Sequence, residues 1–153
     1  MNLARHVAEW SKDRSTKVGA VIVGPSNEVR AIGYNGFPRG VDDDLPDRHE
    51  RPEKYFWVEH AERNAIYNAA RAGIPIAGCK MYLPWFPCMD CARAIVQSGI
   101  ETLVAIEPDV GDPKWGEDFK RAISLFKEAH VAVSWFVDGE GISQIGGRHG
   151  AAR

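Results

Sequence analysis

Apolar residues recur at Leu3, Ala4, Val7, Ala8 and Trp10, near the 3.6-residue period of a helix that lays one face on a buried layer. The pattern then changes. Val18-Gly19-Ala20-Val21-Ile22-Val23 is a nearly continuous apolar run rich in β-branched residues, as expected of a strand covered on both faces. Gly24-Pro25-Ser26-Asn27 predicts a turn, and residues 29–34 a second strand antiparallel to the first. Helical spacing returns over residues 61–72, where Gly73 ends the helix and Pro75 blocks its continuation. Residues 80–84 predict a third strand. A helix that opens after Pro87 buries Ala92, Ile95 and Val96 and stops at Gly99. A fourth strand over 102–106, a helix over 117–129 and a fifth strand over 131–137 complete the series. Strands alternating with helices in this order predict a three-layer α/β/α sandwich with helices on both faces of a five-stranded sheet. Residues 1–138 form one domain in this reading, and the glycine-rich residues 139–153 a loose tail.

Two segments fall outside the pattern. Asn35-Gly36-Phe37-Pro38-Arg39-Gly40 carries two glycines and a proline, so it predicts a shaped loop. It is either a plain connection or the rim of a site, with Asn35 offering donor and acceptor to a polar ligand. Residues 41–58 are a long insertion for so small a domain. Its acidic run Asp42-Asp43-Asp44 reads as a solvated face, and His49 alone makes no second metal site. The trio Tyr55-Phe56-Trp57 reads as packing or a subunit contact ahead of substrate stacking.

Composition narrows the class. The chain has 153 residues, 44% hydrophobic and 26% charged, which suits a single globular core. No apolar run approaches the roughly 20 residues of a membrane span, and the N-terminus lacks the apolar centre of a signal peptide, so a cytoplasmic protein with no membrane partner is expected. The net charge of −2, without a basic stripe, favours a small-molecule substrate over long nucleic acid.

The chemistry is concentrated in His60-Ala61-Glu62 and Pro87-Cys88-Met89-Asp90-Cys91. Cys88 and Cys91, three apart at a helix start, point to one side. The partial positive charge of a helix N-terminus favours the thiolate that a metal needs. His60 opens the other helix. One imidazole and two sulfurs leave a zinc ion an open position, and Glu62 stands close enough to move protons there. A lone C-x-x-C is weak evidence, but H-x-E followed by P-C-x-x-C is the signature of zinc deaminases acting on nucleobases. A structural zinc site would need a fourth protein ligand, and Glu62 is better explained as an acid and base. The third cysteine, Cys79, begins an apolar run and reads as a core thiol.

With those motifs in place, residues 11–136 resemble the cytidine and deoxycytidylate deaminase superfamily, and within it the deoxycytidylate (dCMP) deaminases. The resemblance extends to Val18–Val23, to Gly33-Tyr34-Asn35-Gly36-Phe37-Pro38-Arg39-Gly40, to Lys54-Tyr55 and to Cys91-Ala92-Arg93. It implies a five-stranded mixed sheet, a Zn²⁺ cofactor, and hydrolysis of dCMP to dUMP and ammonia with Glu62 as proton carrier. A free base or nucleoside such as cytosine, cytidine or a guanine-like ring is the alternative substrate. It further implies that Asn35 binds the sugar hydroxyl, the Ala61 N–H holds the ring carbonyl, the Pro87 carbonyl receives the amine, and Trp85 and Phe86 line the base pocket. Such relatives are homo-oligomers, dimers or hexamers, and many are regulated by dCTP and dTTP with Mg²⁺. Position 59 is glutamate where some relatives have cysteine, so no further ligand is expected there. Residues 107–116 depart from the better-known members. For a 5′-phosphate, residue chemistry offers Arg14, Arg39 and Lys114.

Overall fold

The computed structural model describes residues 1–139 and 141–144. Helix α1 (Asn2–Ala8) leads into β1 (Gly19–Val23) and β2 (Val29–Tyr34). The insertion holds a 3₁₀ turn (Pro46–His49) and a short helix, α2 (Lys54–Trp57). Then follow α3 (Ala61–Ala72), β3 (Lys80–Leu83), α4 (Met89–Gln97), β4 (Thr102–Ala105), α5 (Gly116–Glu128), β5 (Ala132–Val137) and β6 (Gly141–Gln144). The strands form one mixed sheet in the order β2-β1-β3-β4-β5-β6. β1 is antiparallel to β2 and β3, β3, β4 and β5 are mutually parallel, and β6 returns antiparallel to β5.

The α/β class, helices α1, α3, α4 and α5 and the first five strands match the sequence reading; the 3₁₀ turn, α2 and the sixth strand are not part of it. The sequence reading places residues 141–144 in a loose tail, yet they pair with β5 from Ser134↔Gln144 to Val137↔Gly141. The connection from β5 leaves through Asp138-Gly139, and Gly139 adopts φ +84°, which only glycine takes freely. Arg5 holds Asp138 through two hydrogen bonds of 2.7 and 2.8 Å, tying this corner to α1. The rest of the expected tail, residues 145–153, lies outside the described residues.

Alternation along the strands divides the core in two. Ala20 and Ile22 on β1, Met81 and Leu83 on β3, Leu103 and Ala105 on β4 and Trp135 on β5 share one face with α3, α4 and α5, which contribute Ala61, Ala65, Ala69, Ala92, Ile95, Phe119, Ala122 and Phe126. Cys79 is buried in the same cluster, as its apolar context implied. The other face carries α1, which presents the buried Ala4, Val7 and Ala8. Two glycines set how closely the helices approach. A Cβ on Gly19 would lie 2.2 Å from the Ala4 carbonyl oxygen, and one on Gly33 would lie 2.3 Å from the Ala65 nitrogen and 2.4 Å from the Ala61 carbonyl oxygen. Gly33 therefore lets the first turn of α3, the turn that carries the H-x-E motif, rest directly on β2.

Candidate active site

The chain leaves β2 through Asn35 and, after the insertion, re-enters at Val58-Glu59, where Gly36 and Glu59 exchange two backbone hydrogen bonds of 3.0 and 2.8 Å. That bridge delivers His60 to the N-cap of α3, with φ −76° and ψ 155°. The crossover from β3 delivers Cys88 to the N-cap of α4, with φ −68° and ψ 170°. Neither side chain is spent on a helix-capping hydrogen bond, and both face a shared point. The Sγ atoms of Cys88 and Cys91 lie 3.5 and 3.4 Å from His60 Nδ1, and the three donor atoms all fall within 4.8 Å of one another. Tetrahedral zinc, with Zn–S about 2.3 Å and Zn–N about 2.0–2.1 Å, puts nitrogen and sulfur about 3.5 Å apart. The donor set and its spacing fit that ion.

The electrostatics agree. A hydrogen bond from Cys91 holds the Cys88 thiol near 4, against the opposing effect of burial and with further help from His60. The Cys91 pKa is driven the other way, up, by the neighbouring Cys88 sulfur and by burial. The bond to Cys88 raises the His60 pKa. Glu62 is only 5% exposed, and burial pushes its pKa up from the ordinary carboxylate value.

These groups stand on the wall of a cavity of about 790 Å³, open mouth included. His60, Ala61, Glu62, Cys88, Asn35, Trp85 and Phe86 all line it. Cys91 is fully buried behind the wall, and Pro87 is likewise buried. Phe86 is a core residue as much as a pocket residue: it meets Phe119 and Phe126 edge to face at 5.6 and 6.1 Å, which fixes the start of the cysteine turn. Trp85 is half exposed.

The three phosphate candidates separate. Arg14 is exposed and does not line the cavity, and Arg39 lines a second, more polar cavity and donates to Asn68 Oδ1 at 2.6 Å. Lys114 reaches the cavity wall indirectly, donating to the Tyr55 hydroxyl at 2.6 Å.

Asn35 is more committed than a ligand-binding amide would be. Its Nδ2 donates to Asp13 Oδ2 at 3.2 Å and to the Thr16 carbonyl at 2.8 Å, and its Oδ1 accepts the Val18 N–H at 2.8 Å. One lone pair on Oδ1 remains for a ligand.

Sequence reasoning missed the group that holds the opposite wall. Lys54 donates to both Asp13 oxygens, at 3.0 and 2.8 Å, and to Ser15 Oγ at 2.6 Å. Asp13 also accepts from the Ser15 and Thr16 N–H groups. Burial alone would raise the Asp13 pKa, but Lys54 and these donors outweigh it and bring it to about 2. The pair joins residues 11–16 to α2, and Asp13, Thr16, Arg51, Lys54, Tyr55, Trp115 and Phe119 also line the cavity. Tyr55, expected in packing, thus faces the site, whereas Phe56 beside it is 80% exposed.

Comparison with known proteins agrees with this geometry. The family model of the cytidine and deoxycytidylate deaminase zinc-binding region matches residues 1–107. An uncharacterized deaminase from the luxG 3′ region of Aliivibrio fischeri is 40% identical over 134 residues, covering 87% of this chain and 88% of that protein. The deoxycytidylate deaminase of Mus musculus is 41% identical over 134 residues, covering 84% of this chain and 72% of its own length. Among solved structures, the dCMP deaminase of cyanophage S-TIM5 in complex with dCMP and dUMP superposes with a TM-score of 0.69 at 26% identity, covering 86% of this chain and 90% of that one.

Proposed function

The chain belongs to the cytidine and deoxycytidylate deaminase family, and from that premise we propose that it is a zinc-dependent hydrolase converting dCMP to dUMP and ammonia. The observation that carries this reading is the convergence of His60 Nδ1 and two cysteine sulfurs within 4.8 Å of one another, with the buried Glu62 on the wall of the same cavity. Zinc held by those three donors would supply the Lewis acidity that activates water.

The remaining work falls to the chain. Glu62 accepts a proton from the attacking water and passes it to the ring nitrogen, then takes the proton of the added hydroxyl and passes it to the departing amine as the C–N bond breaks, so a single carboxyl serves as base and then acid in each transfer. Its burial suits this double duty, because a carboxyl that is neither strongly acidic nor strongly basic exchanges a proton in both directions. The Ala61 N–H, in the first turn of α3, is assigned to the ring carbonyl and the Pro87 carbonyl to the amine. Phe86 and Trp85 border the ring, and the free lone pair on Asn35 Oδ1 accepts the sugar hydroxyl.

For the phosphate, Lys114 is favoured over Arg14 and Arg39 by its bond to the cavity-lining Tyr55. A homo-oligomer, regulation by a nucleotide with Mg²⁺ and a cytoplasmic setting belong to the same proposal and rest on the family resemblance. No helix among the described residues is long and apolar enough to cross a membrane.

Ammonia release from dCMP, deoxycytidine, cytosine and guanine tests the assignment. Turnover that favours dCMP upholds it. Turnover confined to an unphosphorylated base or nucleoside rejects the nucleotide while leaving the zinc chemistry in place.

A further inference from the structure

Four charged side chains other than His60 line the catalytic cavity: Asp13, Arg51, Lys54 and Glu62. Asp13 and Lys54 neutralise each other in a buried pair, and Glu62 sits at the buried end beside His60. Arg51 is left over. It is exposed, and among the described residues it has no ion pair and no side-chain hydrogen bond. Its guanidinium lies 5.9 Å from the ring centre of Tyr55. Lys114 approaches the same ring to 4.9 Å while donating to its hydroxyl, and it too lacks a carboxylate partner among the described residues. Arg51 on the cavity lining and Lys114 just outside it are therefore two cations without carboxylate partners among the described residues, gathered around one phenol ring. An arginine with no carboxylate partner among the described residues, lining a pocket where Lys54 already neutralises the acid Asp13, is arranged for an anion that arrives from outside.

The position fits the shape of the proposed substrate. The amine of the ring must reach the buried Glu62, so the base occupies the floor. The phosphate, farthest from the base and the most strongly hydrated part of a nucleotide, then points toward solvent, where Arg51 stands. Resting on the nucleotide reading above, we propose that Arg51 selects a 5′-phosphomonoester at this site, with Lys114 as the second cation across the Tyr55 ring. The planar guanidinium pairs two N–H donors with two phosphate oxygens, which a lysine in its place cannot reproduce.

The test compares dCMP with deoxycytidine in the full chain loaded with zinc, for the wild type, Arg51→Ala and Arg51→Lys. Loss of an exposed bidentate contact predicts that Arg51→Ala raises the KM for dCMP about 10–100-fold with a much smaller change in kcat. The dCMP-over-deoxycytidine preference in kcat/KM falls by the same factor. Arg51→Lys recovers part of that preference, and inorganic phosphate inhibits the wild type more strongly than Arg51→Ala. Equal losses on both substrates, or a preference unchanged in Arg51→Ala, overturn the role of Arg51 while a wild-type preference for dCMP keeps the nucleotide reading. A wild type that turns over deoxycytidine at least as well as dCMP removes the nucleotide reading and this inference with it.

Discussion

Replacing Lys54 with methionine removes the cation beneath the cavity wall while keeping the length of the side chain. The two charged side chains are 10% and 6% exposed, so the pair is buried. Breaking a buried pair from one side costs about 3–5 kcal/mol because the other charge is left uncompensated. Here Asp13 keeps the N–H groups of Ser15 and Thr16 and the amide of Asn35, so the expected loss is smaller, about 2–4 kcal/mol. Urea unfolding at neutral pH measures it. With an m value of about 1–3 kcal/mol/M, the midpoint falls by about 1–2 M with m unchanged.

The pH dependence supplies a second check. The Asp13 carboxyl titrates near 2 when folded, below its ordinary value of 3.8. A depressed pKa means that the unfolded chain binds the proton more readily, so this stabilisation is complete above about pH 4 and is lost as pH falls toward 2. The drop corresponds to about 2.4 kcal/mol at about 1.36 kcal/mol per pKa unit, and about 1–2 kcal/mol once screening by water in the adjoining cavity is allowed for. The difference between wild type and Lys54→Met therefore shrinks by about 1–2 kcal/mol between pH 6 and pH 2. A loss under about 0.5 kcal/mol at pH 6, or a loss that is the same at both pH values, would refute the reasoning.

Other outcomes follow from the same geometry. Glu62→Gln retains stoichiometric zinc by elemental analysis but loses about 10²–10⁴-fold in kcat on dCMP; metal lost together with turnover would instead mark Glu62 as a ligand. Cys91→Ser lowers zinc affinity in chelator competition, because Cys91 Sγ lies 3.4 Å from His60 Nδ1, and wild-type affinity in the variant would remove Cys91 from the donor set. Gly33→Ala places a methyl 2.3 Å from the Ala65 backbone nitrogen, so it lowers the melting temperature and also weakens zinc binding by pushing α3 off β2; an unperturbed melt would show that this contact is not rigid.

The metal site was legible because each half is written locally. His60 and the two cysteines stand at helix starts that the apolar pattern marks, and the turn of each helix orients its own ligand. The opposite wall was not legible for the complementary reason. Asp13 and Lys54 are 41 residues apart, both belong to residue types that are usually solvated, and neither interrupts a hydrophobic period. Only the folding of the 41–58 insertion brings them together. Arg51 was overlooked on the same grounds although it precedes the H-x-E motif closely in sequence, whereas Arg14 and Arg39, farther from it, stand outside the catalytic cavity. β6 escaped notice because a glycine-rich segment reads as a breaker until residues 141–144 are seen to pair with β5.

The cavity has two walls of unequal permanence. The one bearing the reactive groups is rooted in α3 and α4 and shares residues such as Phe86 with the core. The other rests on an ion pair, a lysine–tyrosine bond and an inserted segment that the sheet does not need for its own completion. A lineage can therefore exchange the insertion and acquire a new clientele of ring compounds without touching the machinery that removes the amine.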